Sequence, residues 1–169
     1  GQRTNPWMQE SSNKIIQDGE IVSFDTDMVG PYGYCADISR AFVCGNKFNE
    51  YQKKIYLTAV EQIDYNSRLI KDGVSFREFT EKAWILPEKF YGNRYSVMLH
   101  GIGLCDEWPA IRYPTDGGER SGIFQKNMTI TLESYIGEVG GHEGVKLEQQ
   151  YLVGENGLEL MSHHPLEKI

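Results

Sequence analysis

The feature that most constrains this chain is a set of acidic residues placed inside stretches that otherwise read as apolar strands. Asp25 and Asp27 fall in Phe24-Asp25-Thr26-Asp27, and Asp37 in Tyr34-Cys35-Ala36-Asp37-Ile38-Ser39-Arg40. Glu133 falls in Ile130-Thr131-Leu132-Glu133-Ser134 and Glu148 in Val145-Lys146-Leu147-Glu148. Side chains two apart on a strand share a face, so Asp25 and Asp27 can enter one cavity, with Asp37 supplied by a partner strand. Like charges in a half-buried sheet repel unless protonated or neutralised, and divalent cations are the usual remedy. Each residue taken singly also has a plainer reading. Asp25 and Asp27 can end a strand in a solvated turn, and Glu133 and Glu148 can lie on the wet face of an antiparallel sheet. His100, just before Gly101-Ile102-Gly103, can be a structural histidine at a glycine turn.

The surrounding pattern predicts the elements that carry these residues. A short helix is expected over residues 7–16, closed by Gln17-Asp18-Gly19. Residues 21–25 read as a strand, and Gly30, Pro31 and Gly33 turn the chain into a second strand-like stretch at 34–43, a hairpin-like pair. Over residues 49–70, Tyr51, Ile55, Tyr56, Ala59, Val60, Ile63 and Ile70 form a helical stripe that ends at Asp72-Gly73. Ser75-Phe76-Arg77-Glu78 has the capping-box pattern and predicts a second helix to about Trp84, limited by Pro87. Strands follow at 95–99, 128–135, 145–153 and 158–161, separated by Asp116-Gly117-Gly118 and Val139-Gly140-Gly141. Strands, a helix pair, then strands predict the α+β class. With no repeat, low-complexity tract or linker, residues 1–169 are expected to form one domain.

Composition removes several function classes. Apolar content of 40% and charged content of 24% exclude a disordered tail and a disulfide miniprotein. With 24 acidic against 17 basic residues and no basic block, nucleic acid is excluded as a partner. Cys35, Cys44 and Cys105 lack a CxxC spacing, which suits reduced thiols and a cytoplasmic setting. No run approaches the roughly 18–20 apolar residues of a membrane span, and the polar start is not a signal peptide. The absence of an initiator Met leads us to expect a piece of a longer protein.

Asp, Asp, His, Glu and Glu in this order, within the motifs quoted above and His100-Gly101-Ile102-Gly103-Leu104, resemble the creatinase/aminopeptidase P/methionine aminopeptidase superfamily. The resemblance implies a pita-bread fold, an antiparallel sheet with covering helices, here N-terminally truncated. Three departures weigh against peptide hydrolysis. Asp27 stands where those peptidases have the Gly of Asp-x-Gly, Glu133-Ser134 replaces Glu-Pro, and Cys105-Asp106-Glu107-Trp108-Pro109 is short and lacks their second His.

The same departures are similar to the DddP-type dimethylsulfoniopropionate (DMSP) lyases, which release dimethyl sulfide and acrylate by β-elimination. Carried over by position, Asp25, Asp27, Asp37, His100, Glu133 and Glu148 are metal ligands, Asp106 the general base and Tyr95 a substrate-positioning residue. Taken alone, Asp106 and Glu107 can equally be an exposed acidic turn. Tyr95, Trp108 and Tyr135 can offer π faces to a sulfonium, or be core aromatics. The expected cofactor is two divalent ions, iron foremost, with Mn, Co or Zn also compatible with such donors. The expected partners are a small zwitterionic substrate and, in the full-length protein, a second copy in a homodimer. An Xaa-Pro-type metallopeptidase or creatinase-like hydrolase is the first rival, and a metal-free pita-bread binding module the second.

Overall fold

The computed structural model describes residues 1–45, 47–117 and 121–169. The expected hairpin-like pair is present but broken where the acids sit. β1 (Ile21–Phe24) pairs antiparallel with β4 (Arg40–Val43), and β2 (Met28–Val29) with β3 (Cys35–Ala36). Asp25 and Asp27 lie between β1 and β2, and Asp37 between β3 and β4, so the two irregular stretches face each other.

Helix α1 (Glu50–Ser67) follows the predicted stripe, and Asn49 and Gln52 close a reciprocal capping box at its start. Its buried Gln62 is satisfied on both sides, accepting from Ser134 Oγ at 2.6 Å and donating to the Tyr113 hydroxyl at 2.7 Å. Helix α2 (Phe76–Lys82) is capped by Ser75, whose hydroxyl accepts from Glu78 N at 3.0 Å. The Glu78 carboxylate pairs instead with Lys82 one turn on, and the helix stops before Trp84. A short α3 (Glu88–Tyr91) follows Pro87 and was not foreseen.

Strands β5 (Val97–Gly101), β6 (Ala110–Arg112), β7 (Thr129–Gly137), β8 (Gly144–Val153) and β9 (Leu158–Leu160) form one antiparallel sheet in the order β6-β5-β7-β8-β9. β6 is too short to carry a sequence signal. Both faces of this sheet are covered. Ile130, Leu132 and Ile136 of β7, with Val145 and Leu147 of β8, join the apolar core beneath α1. By alternation Thr131, Glu133, Lys146 and Glu148 point the opposite way, beneath the first hairpin, and all four are buried. The register places Glu133 opposite Glu148 and Thr131 opposite His100.

The helix expected over residues 7–16 does not form. A 3₁₀ turn at Gln2–Thr4 leads into irregular chain, with Ile15 and Ile16 exposed. Tertiary packing overrides local propensity at its start: Trp7 lies against Tyr135 with ring centroids 6.2 Å apart, and Asn5 just before it donates through Nδ2 to Glu138 O at 2.8 Å and Gly141 O at 2.9 Å, at the β7–β8 turn. Of the expected loop Asp116-Gly117-Gly118, Gly118 lies outside the described residues. Among the described residues no helix is long and apolar enough to cross a membrane.

Candidate metal centre

His100, from β5, is the hub. Its Nε2 lies 3.4 Å from Asp37 Oδ2, 3.4 Å from Glu133 Oε1 and 3.3 Å from Glu148 Oε1. Thr131 Oγ1 sits 2.9 Å from the same nitrogen and donates to Glu148 Oε1 at 3.1 Å, while His100 Nδ1 is 3.0 Å from Gly101 O. Ser39 Oγ is 2.5 Å from Asp25 Oδ1 and 2.9 Å from Glu148 Oε2, which draws the first hairpin onto β8. Asp37, His100 and Glu148 each bring one potential ligand atom within 4.8 Å of the others. Asp27, Asp37 and Asp106 do the same on the more open side, so Asp37 belongs to both groups.

Thus Asp25, Asp27, Asp37, His100, Glu133 and Glu148 are brought to one place, with Asp106 at its rim. Exposures of 3% for Glu133 and 1% for Glu148 rule out the wet-face reading of these two, and Asp37 at 3% and His100 at 2% are buried beside them. Asp27 is exposed and Asp25 half-buried, as the mouth of the site requires.

The sequence reading missed Lys146. Its ammonium is buried 2.7 Å from Glu133 Oε2, 3.6 Å from Glu148 Oε2 and 3.8 Å from Asp25 Oδ2. The signal was available, because Lys146 and Glu148 are two apart and share a face. The same rule applied to Thr131 and Glu133 locates the threonine.

Electrostatics follow from this crowding. Burial pushes the Asp37 carboxyl up to about 7 and that of Glu133 up to about 8. Burial would also lower the two cations, but the acids overcome it. The His100 imidazole is raised to about 11 by Asp37 and Glu148, and Lys146 is held well above its ordinary value by Glu133, Glu148 and Asp25. Glu148 is depressed, since Lys146 and His100 outweigh its burial.

Even so, two cations face more acids than they can neutralise. Among the described residues Asp37 Oδ1 is buried without a hydrogen-bond partner, an arrangement that costs about 1–3 kcal/mol if nothing coordinates it. A surplus of buried carboxylate oxygen, one imidazole and an orphaned acceptor fit a pair of divalent ions of the Mn, Fe, Co or Zn kind.

Of the three expected aromatic contacts, the structure keeps one near the acids. The Lys146 ammonium lies over the Tyr95 ring, 4.9 Å from its centroid, and burial together with Glu133 raises the Tyr95 hydroxyl so that it stays protonated. Trp108 is 65% exposed and lines a cavity of about 390 Å³ with Leu99, Gly101 and Ile130. Those residues alternate with His100 and Thr131, so this cavity lies on the opposite face of the sheet. Tyr135 shares the face of Glu133 but is covered by Trp7, and its hydroxyl donates to Thr4 O at 2.7 Å and Asn5 Oδ1 at 3.0 Å. Its ring is therefore closed to a ligand. A cavity of about 500 Å³ opens beside Asp25 and Asp27, walled by the N-terminal segment.

Residues 1–155 match the model of metallopeptidase family M24. The chain is 39% identical over 170 residues to dimethylsulfoniopropionate lyase DddP of Roseovarius nubinhibens, spanning 99% of this chain and 38% of that protein. Prolidase from Pyrococcus furiosus superposes with a TM-score of 0.79 at 26% identity, covering 99% of this chain and 48% of that one. The X-Pro aminopeptidase of Thermotoga maritima gives 0.76 at 26% identity, covering 98% and 46%. The fold is the pita-bread fold that the motif order implied. The chain spans about two fifths of the length of the curated relative it matches.

Proposed function

Because this chain belongs to metallopeptidase family M24, we propose that it forms the dinuclear-metal catalytic portion of a lyase that cleaves DMSP to dimethyl sulfide and acrylate. The observation that carries the reading is Asp106. Its carboxylate oxygen comes within 4.8 Å of those of Asp27 and Asp37, half-buried at the rim of the acid cluster, in a loop with no histidine. Proton abstraction from carbon needs a base placed on the substrate, close to the metals but free of them. The 39% identity to DddP over almost the whole chain supports the same reading.

Asp25, Asp27, Asp37, His100, Glu133 and Glu148 would hold the two ions, with iron the metal we expect. When bound, the ions would hold the substrate carboxylate and acidify the C–H beside it. Asp106 takes that proton, the C–H electron pair forms the new C=C bond, and the C–S pair leaves with dimethyl sulfide. Ser39, Thr131 and Lys146 keep the carboxylates and the imidazole aimed at one point. Tyr95 borders the site as a neutral phenol.

Asp106→Asn preserves shape and removes basicity. In the full-length protein it should abolish dimethyl sulfide release while metal content stays at the wild-type level. An Asn variant that remains active sinks the elimination mechanism. The rival is an Xaa-Pro hydrolase, favoured by the likeness to prolidase. Cleavage of proline-containing dipeptides with no dimethyl sulfide from DMSP would establish it instead.

A further inference from the structure

The aromatic residues singled out in the sequence leave the cavity beside Asp25 and Asp27 without an open π face. Tyr95 has Lys146 over its ring, Trp108 lines the other side of the sheet and Tyr135 is buried. Trp7 fills that role by position. It lines the cavity of about 500 Å³ together with Asp25 and Asp27, and a second one of about 270 Å³ together with Tyr95. The indole therefore borders both the cavity beside Asp25 and Asp27 and the one beside Tyr95.

Its backing is fixed. The ring is tilted 47° against Tyr135 with centroids 6.2 Å apart, and Tyr135 is pinned by Thr4 and Asn5. Among the described residues Trp7 Nε1 is buried without a hydrogen-bond partner, which is costly unless a ligand or its water supplies an acceptor. The cationic side chains of this wall are paired, Arg3 with Glu10 at 3.9 Å and Lys14 with Glu20 at 2.5 Å, so neither is left to oppose a positive ligand.

We infer that Trp7 recognises the sulfonium end of the substrate, making it a binding and specificity residue for carboxylates that carry an onium group. The inference rests on the lyase reading. With the carboxylate drawn to the acid cluster and its metals, the sulfonium lies toward the cavity wall, and tryptophan has the strongest cation–π face of the aromatic residues.

The test uses the full-length protein with Trp7→Leu and Trp7→Phe. KM and kcat are measured for DMSP, and Ki for 4-methylpentanoate, the uncharged isostere in which CH replaces the sulfonium sulfur. Trp7→Leu should raise KM for DMSP about tenfold or more, and Trp7→Phe by less, because the loss is that of a desolvated cation–π contact. The Ki of the isostere should stay within about twofold of wild type, since no charge is lost there. Equal weakening of both ligands would make Trp7 a shape element only and overturn the inference, as would an unchanged KM. Should Trp7→Leu fail to fold, Trp7→Phe keeps a ring on Tyr135 and must still lose DMSP selectively over the isostere. Wild-type protein that releases no dimethyl sulfide fails at the earlier step, sinking the lyase reading and this inference with it.

Discussion

Replacing Lys146 by methionine keeps the length of the side chain and deletes, among the described residues, the one ammonium beside Glu133, Glu148 and Asp25. Both members of the closest pair are buried, Lys146 at 2% and Glu133 at 3% exposure, so solvent screens little of their 2.7 Å contact. Above about pH 8, where Glu133 is ionised beside Lys146, breaking a buried pair by removing one partner costs about 3–5 kcal/mol, because the other charge is stranded or must take up a proton. For a chain of this size that corresponds to a fall in Tm of about 6–20 °C.

The loss is expected in chelator-treated protein, followed by thermal unfolding, and it should grow as pH rises. Burial already raises the Glu133 carboxyl to about 8, and without Lys146 it climbs further. A raised carboxyl binds its proton more tightly in the folded state, so stability drains away between the unfolded value near 4.5 and the folded one. Excess Mn²⁺ should restore most of the lost stability, since a divalent ion supplies the missing counter-charge. A variant that melts within about 2 °C of the parent in chelator would refute the assignment of Lys146 as the counter-charge of the metal-free site.

Metal affinity should increase with pH through the range from about 7 to about 8, where Asp37 and Glu133 give up their protons in the metal-free protein. Competition titrations at pH 6 and pH 8.5 measure this, and equal affinities at the two pH values would contradict it. Gly101→Ala should displace the loop that carries Asp106, because the added Cβ would stand 2.3 Å from the Trp108 carbonyl oxygen, a backbone atom that cannot swing aside. The expected result is a destabilisation of about 1–3 kcal/mol with loss of dimethyl sulfide release, and a variant as stable and active as wild type would show that the loop is not held there.

Local pattern carried much of this protein. The stripe over residues 49–70 predicts α1, which runs from Glu50 to Ser67 and so ends one turn early. The strands around Glu133 and Glu148 are legible for the same reason, and the ordered set of acids with one histidine identifies the fold without any knowledge of contacts. What alternation alone leaves open is which face of a strand is covered, since that depends on chain far away in sequence. Packing of the first hairpin over β7 and β8 buried Glu133, Glu148 and Lys146, turning an ambiguous wet-or-inward pattern into a charged cluster. Local composition predicts a helix over residues 7–16, yet the chain there is irregular, with Trp7 packed on Tyr135 and Asn5 just before it bonded to residues more than 130 positions away. That placement puts Trp7 rather than Trp108 on the cavity wall beside the acids. Residue types and their order are fixed by the chain itself, whereas burial, and with it the shifted protonation of Asp37, Glu133 and His100, exists only once distant segments close over the sheet.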